Sequence, residues 1–291
     1  MTILISGASG AVGRAVLLET VKNNSRVRAM YRGEHEAAKA PSGVSTFVAD
    51  FASKDSLKCA LTDVDVLYLV CSPIPALVEL EGNALDVCVE AGVKHVVLNS
   101  ALGAGDYPKS FPSWHRRVED KLKASGLGYT ILRPNGFMQN ILAYNAPSIR
   151  AQGAFYAAMG NARTSYLDVR DIARAAAKVL ASPANHAGKI YELNGPEAVT
   201  CAELAERISR ASNCTVNFVD IPEAAQRQGM LDLGMPEWQV NAILELQQYY
   251  TGGQGGEVTD VLPGLLEGSP LYLNQFLEEF KEQFRPQAAS A

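Results

Sequence analysis

The segment LISGASGAVGRAV, Leu4 to Val16, sets Gly7, Gly10 and Gly13 three residues apart. Before them lies a short apolar run, TILIS. After them Ala15, Val16, Leu18 and Val21 recur at helical spacing. Few folds use three glycines at such a junction. The first permits a tight turn, the second lets the backbone approach a pyrophosphate, and the third allows a helix to pack closely on a strand. The N-terminus of that helix adds free N–H groups and a positive dipole end. The spacing predicts a strand–turn–helix that holds a dinucleotide through Gly7, Ser9, Gly10, Ala11, Val12 and Gly13.

The rest of the chain continues that pattern. The runs RVRAMY, STFVAD, VDVLYLV, HVVLNS, GYTILRP and KIYELNG are apolar without alternation, as strands covered on both faces should be. Helical patterns separate them, among them Ala76–Glu90, stopped at Gly92, and SWHRRVEDKLKASG, stopped at Gly126. The expected architecture is α/β, a Rossmann-type doubly wound parallel sheet of about seven strands. After Gly195 the rhythm changes. A helix opens at Thr200 with Glu203 three positions on, a capping-box pattern. A short strand CTVNFVDIP, further helices and the loop TGGQGGE follow, and the terminal RPQAASA is expected to fray. Residues 1–195 are therefore read as the nucleotide-binding domain, its sheet completed near 189–194. Residues 196–291 are read as a smaller, mostly helical substrate-binding lobe at the carboxyl ends of the strands.

Composition narrows the function classes. The 291 residues carry a net charge of -5, which gives no basic field for nucleic acid. No apolar run approaches the roughly 20 residues of a membrane span, and a strand starting at Thr2 leaves no room for a signal peptide, so a cytoplasmic protein is expected. Five cysteines show no metal spacing and are read as reduced, mostly buried thiols. His35, His95 and His186 have no partners at metal spacing, so no metal site is expected.

The second strand ends at Tyr31 and Arg32, where an acidic residue would grip the ribose of NAD. Arg32 suits a 2′-phosphate instead, which favours NADP(H) over NAD(H); a solvated surface arginine is the plain alternative. Asp50 and Phe51 of VADF are placed for the adenine amine and ring.

The motifs GASGAVG, VADF, LVCSP, AGVKHVVLNSA, YTILRPNGFMQN, YLDVRDIA and YELNGP, in this order, resemble the NmrA-like atypical branch of the short-chain dehydrogenase/reductase family over nearly the whole chain. That family includes triphenylmethane-dye, azo and quinone reductases, ergot-alkaloid dehydrogenases, and sensors that bind the cofactor without turnover. The resemblance implies cofactor contacts from Cys71, Ser72, Pro73, Pro134, Asn135, Gly136 and Phe137. It sets Met138, Asn140 and Tyr144 toward the substrate and Asp168 and Asp171 at the start of a helix, where both are read as caps; Trp114, Phe137, Tyr144 and Tyr156 are read by residue type as an aromatic supply around the substrate cleft. Phe155 and Tyr166 add to the same aromatic supply, which suits a flat conjugated molecule.

Ordinary members carry Ser, Tyr and Lys. Ser100 matches the serine. Anchored on Glu119, Phe111 stands at the tyrosine and His115 at the lysine, and no Tyr-x-x-x-Lys occurs in this segment. Ser100 and His115 are thus the catalytic candidates. His115 is open to three readings: a proton source, a contact to the nicotinamide ribose in place of the lysine, or a structural histidine. The resemblance and the missing acid pair imply an NADPH-dependent reductase for conjugated, electron-poor small molecules. The alternative is an NADP(H)-binding sensor that regulates a partner; an isomerase with tightly held cofactor is a weaker third. A monomer or homodimer with no nucleic-acid or membrane partner is expected.

Overall fold

The computed structural model describes residues 1–24 and 26–286; the tail from Gln287 lies outside the described residues. The chain forms two compact units. The first takes Met1–Pro134, Val169–Leu193 and Val261–Gly268, and the second takes Asn135–Asp168, Asn194–Asp260 and the chain from Ser269. The sequence reading drew a single boundary at 195. The units instead exchange chain at 134/135, 168/169, 193/194, 260/261 and 268/269.

The first unit opens with β1 (Ile3–Ile5), α1 (Ala11–Thr20), β2 (Val27–Tyr31), α2 (Glu34–Ala37), β3 (Ser45–Val48), α3 (Lys54–Leu61) and β4 (Val66–Leu69). It continues through α4 (Leu77–Ala91), β5 (His95–Asn99), α5 (Ser110–Ala124) and β6 (Gly128–Pro134). The chain then enters the second unit for α6 (Met138–Asn140), α7 (Ala146–Gln152), β7 (Ala154–Ala157) and β8 (Arg163–Thr164). It returns for α8 (Val169–Ala181) and β9 (Lys189–Leu193) and leaves again for β10 (Val199–Thr200), α9 (Cys201–Ser212) and β11 (Asn217–Asp220). After α10 (Glu223–Asp232) and α11 (Glu237–Thr251), α12 (Val261–Leu265) belongs to the first unit and α13 (Leu273–Glu279) to the second.

The first unit is built on one seven-stranded parallel sheet in the order β3-β2-β1-β4-β5-β6-β9. This is the doubly wound sheet expected from the continuous apolar runs. Every residue of β4 and β5 is buried, while the edge strand β3 is mostly exposed. Strand order reverses between β1 and β4, and such reversals open a crevice at the carboxyl ends of the strands. On α4 the inward stripe is Leu77, Glu81, Ala84, Leu85 and Cys88, and Gly92 ends the helix in the left-handed region at φ 73°. On α5 it is Pro112, His115, Val118, Glu119 and Leu122. Both stripes follow the i, i+3, i+4, i+7 rule; α4 carries an ionisable residue, Glu81, into the interior, and α5 carries two, His115 and Glu119. Leu57, Leu67, Leu85, Leu98 and Ile131 form the centre of the core, each worth about 1.5–3 kcal/mol on burial.

The second unit has its own core of Ile141, Ile149, Phe155, Leu204, Ile208 and Phe276. The capping box on α9 is present: the Glu203 amide donates to Thr200 Oγ1 at 3.1 Å, and the Thr200 amide donates to Glu203 Oε2 at 3.0 Å. Two small sheets accompany the expected helices, β8 with β10 antiparallel and β7 with β11 parallel. Among the described residues no helix is long and apolar enough to cross a membrane.

Candidate functional site

The β1–α1 turn is shaped by what its glycines lack. Gly7 sits at φ +57°, and a Cβ there would stand 2.9 Å from the Val70 carbonyl oxygen at the end of β4. A Cβ on Gly13 would stand 2.2 Å from the Gly7 carbonyl oxygen, so helix and turn are in backbone contact. Gly10 occupies the N-cap of α1 and brings no capping side chain, and no acidic residue lies in the first turn. The backbone ladder begins with the Arg14 amide donating to Gly10 O at 2.9 Å. The amides of Ala11, Val12 and Gly13 precede it and point along the positive end of the helix dipole. Ser9, Gly10 and Ala11 are exposed. This cradle of backbone donors with no side chain to fill it fits a pyrophosphate.

The neighbouring strand ends of the same unit supply the rest. Arg32 is exposed just past β2. Asp50 is exposed, and its Oδ1 accepts the Ala52 amide at 2.9 Å, which leaves the second carboxylate oxygen for a ligand. Phe51 packs half-buried on the core, and its carbonyl accepts the Asn83 amide at 3.1 Å. Beyond β4 the turn is closed by the Ile74 amide on Ser72 O at 2.9 Å and the Leu77 amide on Ile74 O at 2.8 Å. Ser72 and Pro73 are exposed, and burial pushes the Cys71 thiol up to about 12. All five cysteines are free; Cys88 and Cys201 are buried but Cys59 is exposed, so "mostly buried" holds for only part of the set.

At the ends of β5 and β6 the polar groups bind each other. The Ser100 hydroxyl donates to Glu119 Oε1 at 2.7 Å. Arg133 donates to Glu119 through Nε at 2.9 Å and through a terminal nitrogen at 2.7 Å, and reaches Glu192 at 3.1 Å. Lys123 adds a contact to Glu119 at 3.0 Å. Burial alone would raise the Glu119 carboxyl; the hydrogen bonds from Arg133 and Ser100 outweigh it and hold the group below its usual range. One helical turn earlier, His115 is buried, and its Nδ1 has no hydrogen-bond partner among the described residues. Burial lowers its pKa to about 4 despite the pull of Glu119, so the ring is neutral near pH 7. Phe111 and Trp114 meet edge to face at 5.4 Å on the same helix. Within HRRVEDKLK, His115 and Glu119 are buried although the stretch mixes charges at helical spacing. The α5 stripe and an arginine closing an apolar strand are the signal that could have found the pair.

Residues of the sixth-strand motif divide at the unit boundary, with Pro134 the last residue of β6. In the second unit, Asn135 Nδ2 is shared among Ser165 Oγ at 2.8 Å, Gly255 O at 2.8 Å and Asn194 Oδ1 at 3.1 Å. Its Oδ1 accepts the Gly136 amide at 2.8 Å and the Tyr250 hydroxyl at 3.1 Å. The Asn135 side chain thus ties the glycine loop at Gly255 to Ser165 and Asn194. Gly136 leaves room beside Tyr166, and Phe137 is half-buried and bridges Leu167. Met138 is 0% exposed within the core of this unit, and Phe155 is buried there too, so neither presents a surface to a substrate. Asn140 and Tyr144 are exposed, Tyr144 at 61%. Tyr156 is exposed and donates to Gln152 Oε1 at 2.8 Å. Asp168 accepts the Gln139 amide at 2.9 Å directly before α8, and in the first unit Asp171 pairs with Arg174 at 2.9 Å. Among the described residues no group of three or more His, Cys, Asp or Glu is placed to hold a metal.

The model of the NmrA-like family matches residues 1–264. The chain belongs to the NmrA-like family. It is 31% identical over 293 residues to the NAD(P)H azoreductase of Xenophilus azovorans, covering 99% of this chain and 98% of that one. It is 32% identical over 239 residues to quinone oxidoreductase 2 of Escherichia coli, covering 81% and 83%. Among solved structures, the NADPH-dependent quinone oxidoreductase of Escherichia coli complexed with NADPH superposes with a TM-score of 0.89 at 28% identity, covering 96% and 99%.

Proposed function

We propose that this protein is an NADPH-dependent reductase that delivers hydride to a conjugated, electron-poor small molecule such as a quinone, an iminium ion or a dye. The coarser part of this reading is an NAD(P)H-dependent oxidoreductase of the atypical short-chain type. It follows from full-length relatives named as NAD(P)H and NADPH reductases. The observation that carries the reading is the β1–α1 cradle, whose uncapped amides and missing side chains match a pyrophosphate. A bound nicotinamide cofactor supplies the hydride. The amides of Ala11, Val12 and Gly13 hold the diphosphate, Arg32 offers a fork of donors to a 2′-phosphate, and Asp50 and Phe51 receive the adenine.

What the first unit does not offer supports this choice of acceptor class. Ser100 gives its hydrogen to Glu119, His115 is neutral, and α5 has no tyrosine. No strong acid stands ready to protonate an alkoxide. That favours acceptors which take hydride at carbon or nitrogen, where positioning alone can lower a barrier by about 7–11 kcal/mol in the best intramolecular cases. Phe137, Asn140, Tyr144 and Tyr156 keep surface that an acceptor can meet.

The test is the initial rate of NADPH and NADH consumption against quinones, azo and triphenylmethane dyes and cyclic iminium salts, for the wild type and Arg32→Gln. Turnover is expected with NADPH well above NADH, and the variant should lose about tenfold or more of that preference. Tight NADPH binding with no turnover of any acceptor would replace the enzyme by a regulatory binding protein.

A further inference from the structure

Glu81 lies one turn into α4, on the inward stripe between Leu77 and Leu85. It is 0% exposed, and neither carboxyl oxygen has a hydrogen-bond partner among the described residues. This differs from Glu119, whose carboxylate is met by an arginine, a lysine and a hydroxyl. From the sheet side Glu81 is faced by the Tyr68 hydroxyl and the Cys71 thiol, both pushed upward by burial first and by Glu81 second. The Cys71 backbone amide favours the ionised carboxyl, and burial outweighs it. Cations on the flanking helices are engaged further along α4: Lys54 and Lys121 with Asp86 at 2.8 and 2.7 Å, and Lys58 with Glu90 at 3.1 Å. Among the described residues no cation is paired with Glu81. A buried carboxyl in such surroundings keeps its proton.

We propose that Glu81 is a positioning residue, a buried neutral carboxylic acid set against the Cys71 backbone amide, whose polar group keeps the Cys71–Pro73 turn in the shape that receives the nucleotide. The proposal rests on the reading of this turn as part of the nucleotide site. Burial holds the acid far above its ordinary range. The unfolded chain ionises at the ordinary carboxyl pKa, whereas the folded chain does not. The contribution of Glu81 to stability is thus fully present in acid and is lost as pH rises toward the folded value.

Three proteins test this without turnover: wild type, Glu81→Gln and Glu81→Leu. Melting temperature is followed between about pH 5 and about pH 8 in the ligand-free state, and NADP+ binding is titrated at neutral pH. The Tm of the wild type should fall progressively behind that of E81Q as pH rises. The infrared carbonyl band of a protonated acid should vanish in E81Q. E81L should bind NADP+ about tenfold more weakly, and E81Q should recover most of that loss. A gap in Tm that is constant with pH, or wild-type affinity in E81L, overturns the proposal. A growing gap in a protein that does not bind NADP+ keeps the neutral acid and overturns the nucleotide reading instead.

Discussion

Two strand ends of one sheet treat polar groups in opposite ways. At β1 the backbone donors of the glycine turn are left without side-chain caps, and two glycines are fixed by contacts of 2.9 and 2.2 Å that any Cβ would make. At β5 and β6 the hydroxyl of Ser100, the carboxylate of Glu119 and the guanidinium of Arg133 are committed to one another. The first end is built to receive an anion, and the second is built to stay as it is. Ser100, a residue type that is catalytic elsewhere, is held here in a closed set of hydrogen bonds.

The largest effect expected from breaking this contrast is at Glu119. Glu119→Ala leaves a mostly buried Arg133 guanidinium without its main partner and should cost about 3–5 kcal/mol in urea unfolding. A loss below about 1 kcal/mol would mean that Glu192 or water takes over, and the committed cluster would not exist as described. Gly13→Ala comes next. Its methyl must displace the Gly7 carbonyl, so a loss of about 1–3 kcal/mol is expected together with failure to bind NADPH in a fluorescence titration. Tight binding in that variant would show that the turn tolerates movement.

Ser100→Ala sharpens the other side. It should lower stability by about 1.5 kcal/mol, the worth of a hydrogen bond to a charged group, and leave kcat/KM within about threefold. A hundredfold fall in kcat/KM would make the hydroxyl a participant after all. The smallest effect concerns His115. With a pKa of about 4 it should add no ionisation to kcat/KM between about pH 5 and pH 8. Its stability contribution has the opposite sign to that of Glu81. Unfolded histidine protonates near 6.5 and the folded ring near 4, so stability is present above 6.5 and drains away as pH falls between those values. His115→Gln should flatten part of that acid loss in a Tm–pH series.

Much of this was legible in the sequence because the signals are local. Continuous apolar runs marked all seven strands of the main sheet, Thr200 and Glu203 marked a capping box, and Gly92 marked the end of α4. Burial of charge was not legible. Glu119 stands among Arg116, Arg117, Asp120 and Lys121, all exposed, and only the phase of the stripe through Val118 and Leu122 turns it inward. The resemblance set Met138 toward the substrate, and Phe155 was counted in the aromatic supply by residue type, which does not say which way a side chain faces; both are buried. The two-residue strands β8 and β10 have no periodicity to detect and exist only through pairing at a distance, Thr164 with Val199. The interleaving of the units has the same origin, since β9 joins β6 across a long insertion.

That interleaving bears on how the gene product can be handled. Lys189 must find Thr130 to complete the sheet, so the ribosome has to release β9 before the nucleotide-binding unit can close. No single cut separates the two halves: a fragment ending at Pro134 lacks α8, β9 and α12, and one starting at Asn135 carries them away from their sheet. Split reporters, domain grafts and truncation libraries should accordingly fail at these junctions, and chimaeras within the family should succeed when they exchange the whole reading frame of both units together.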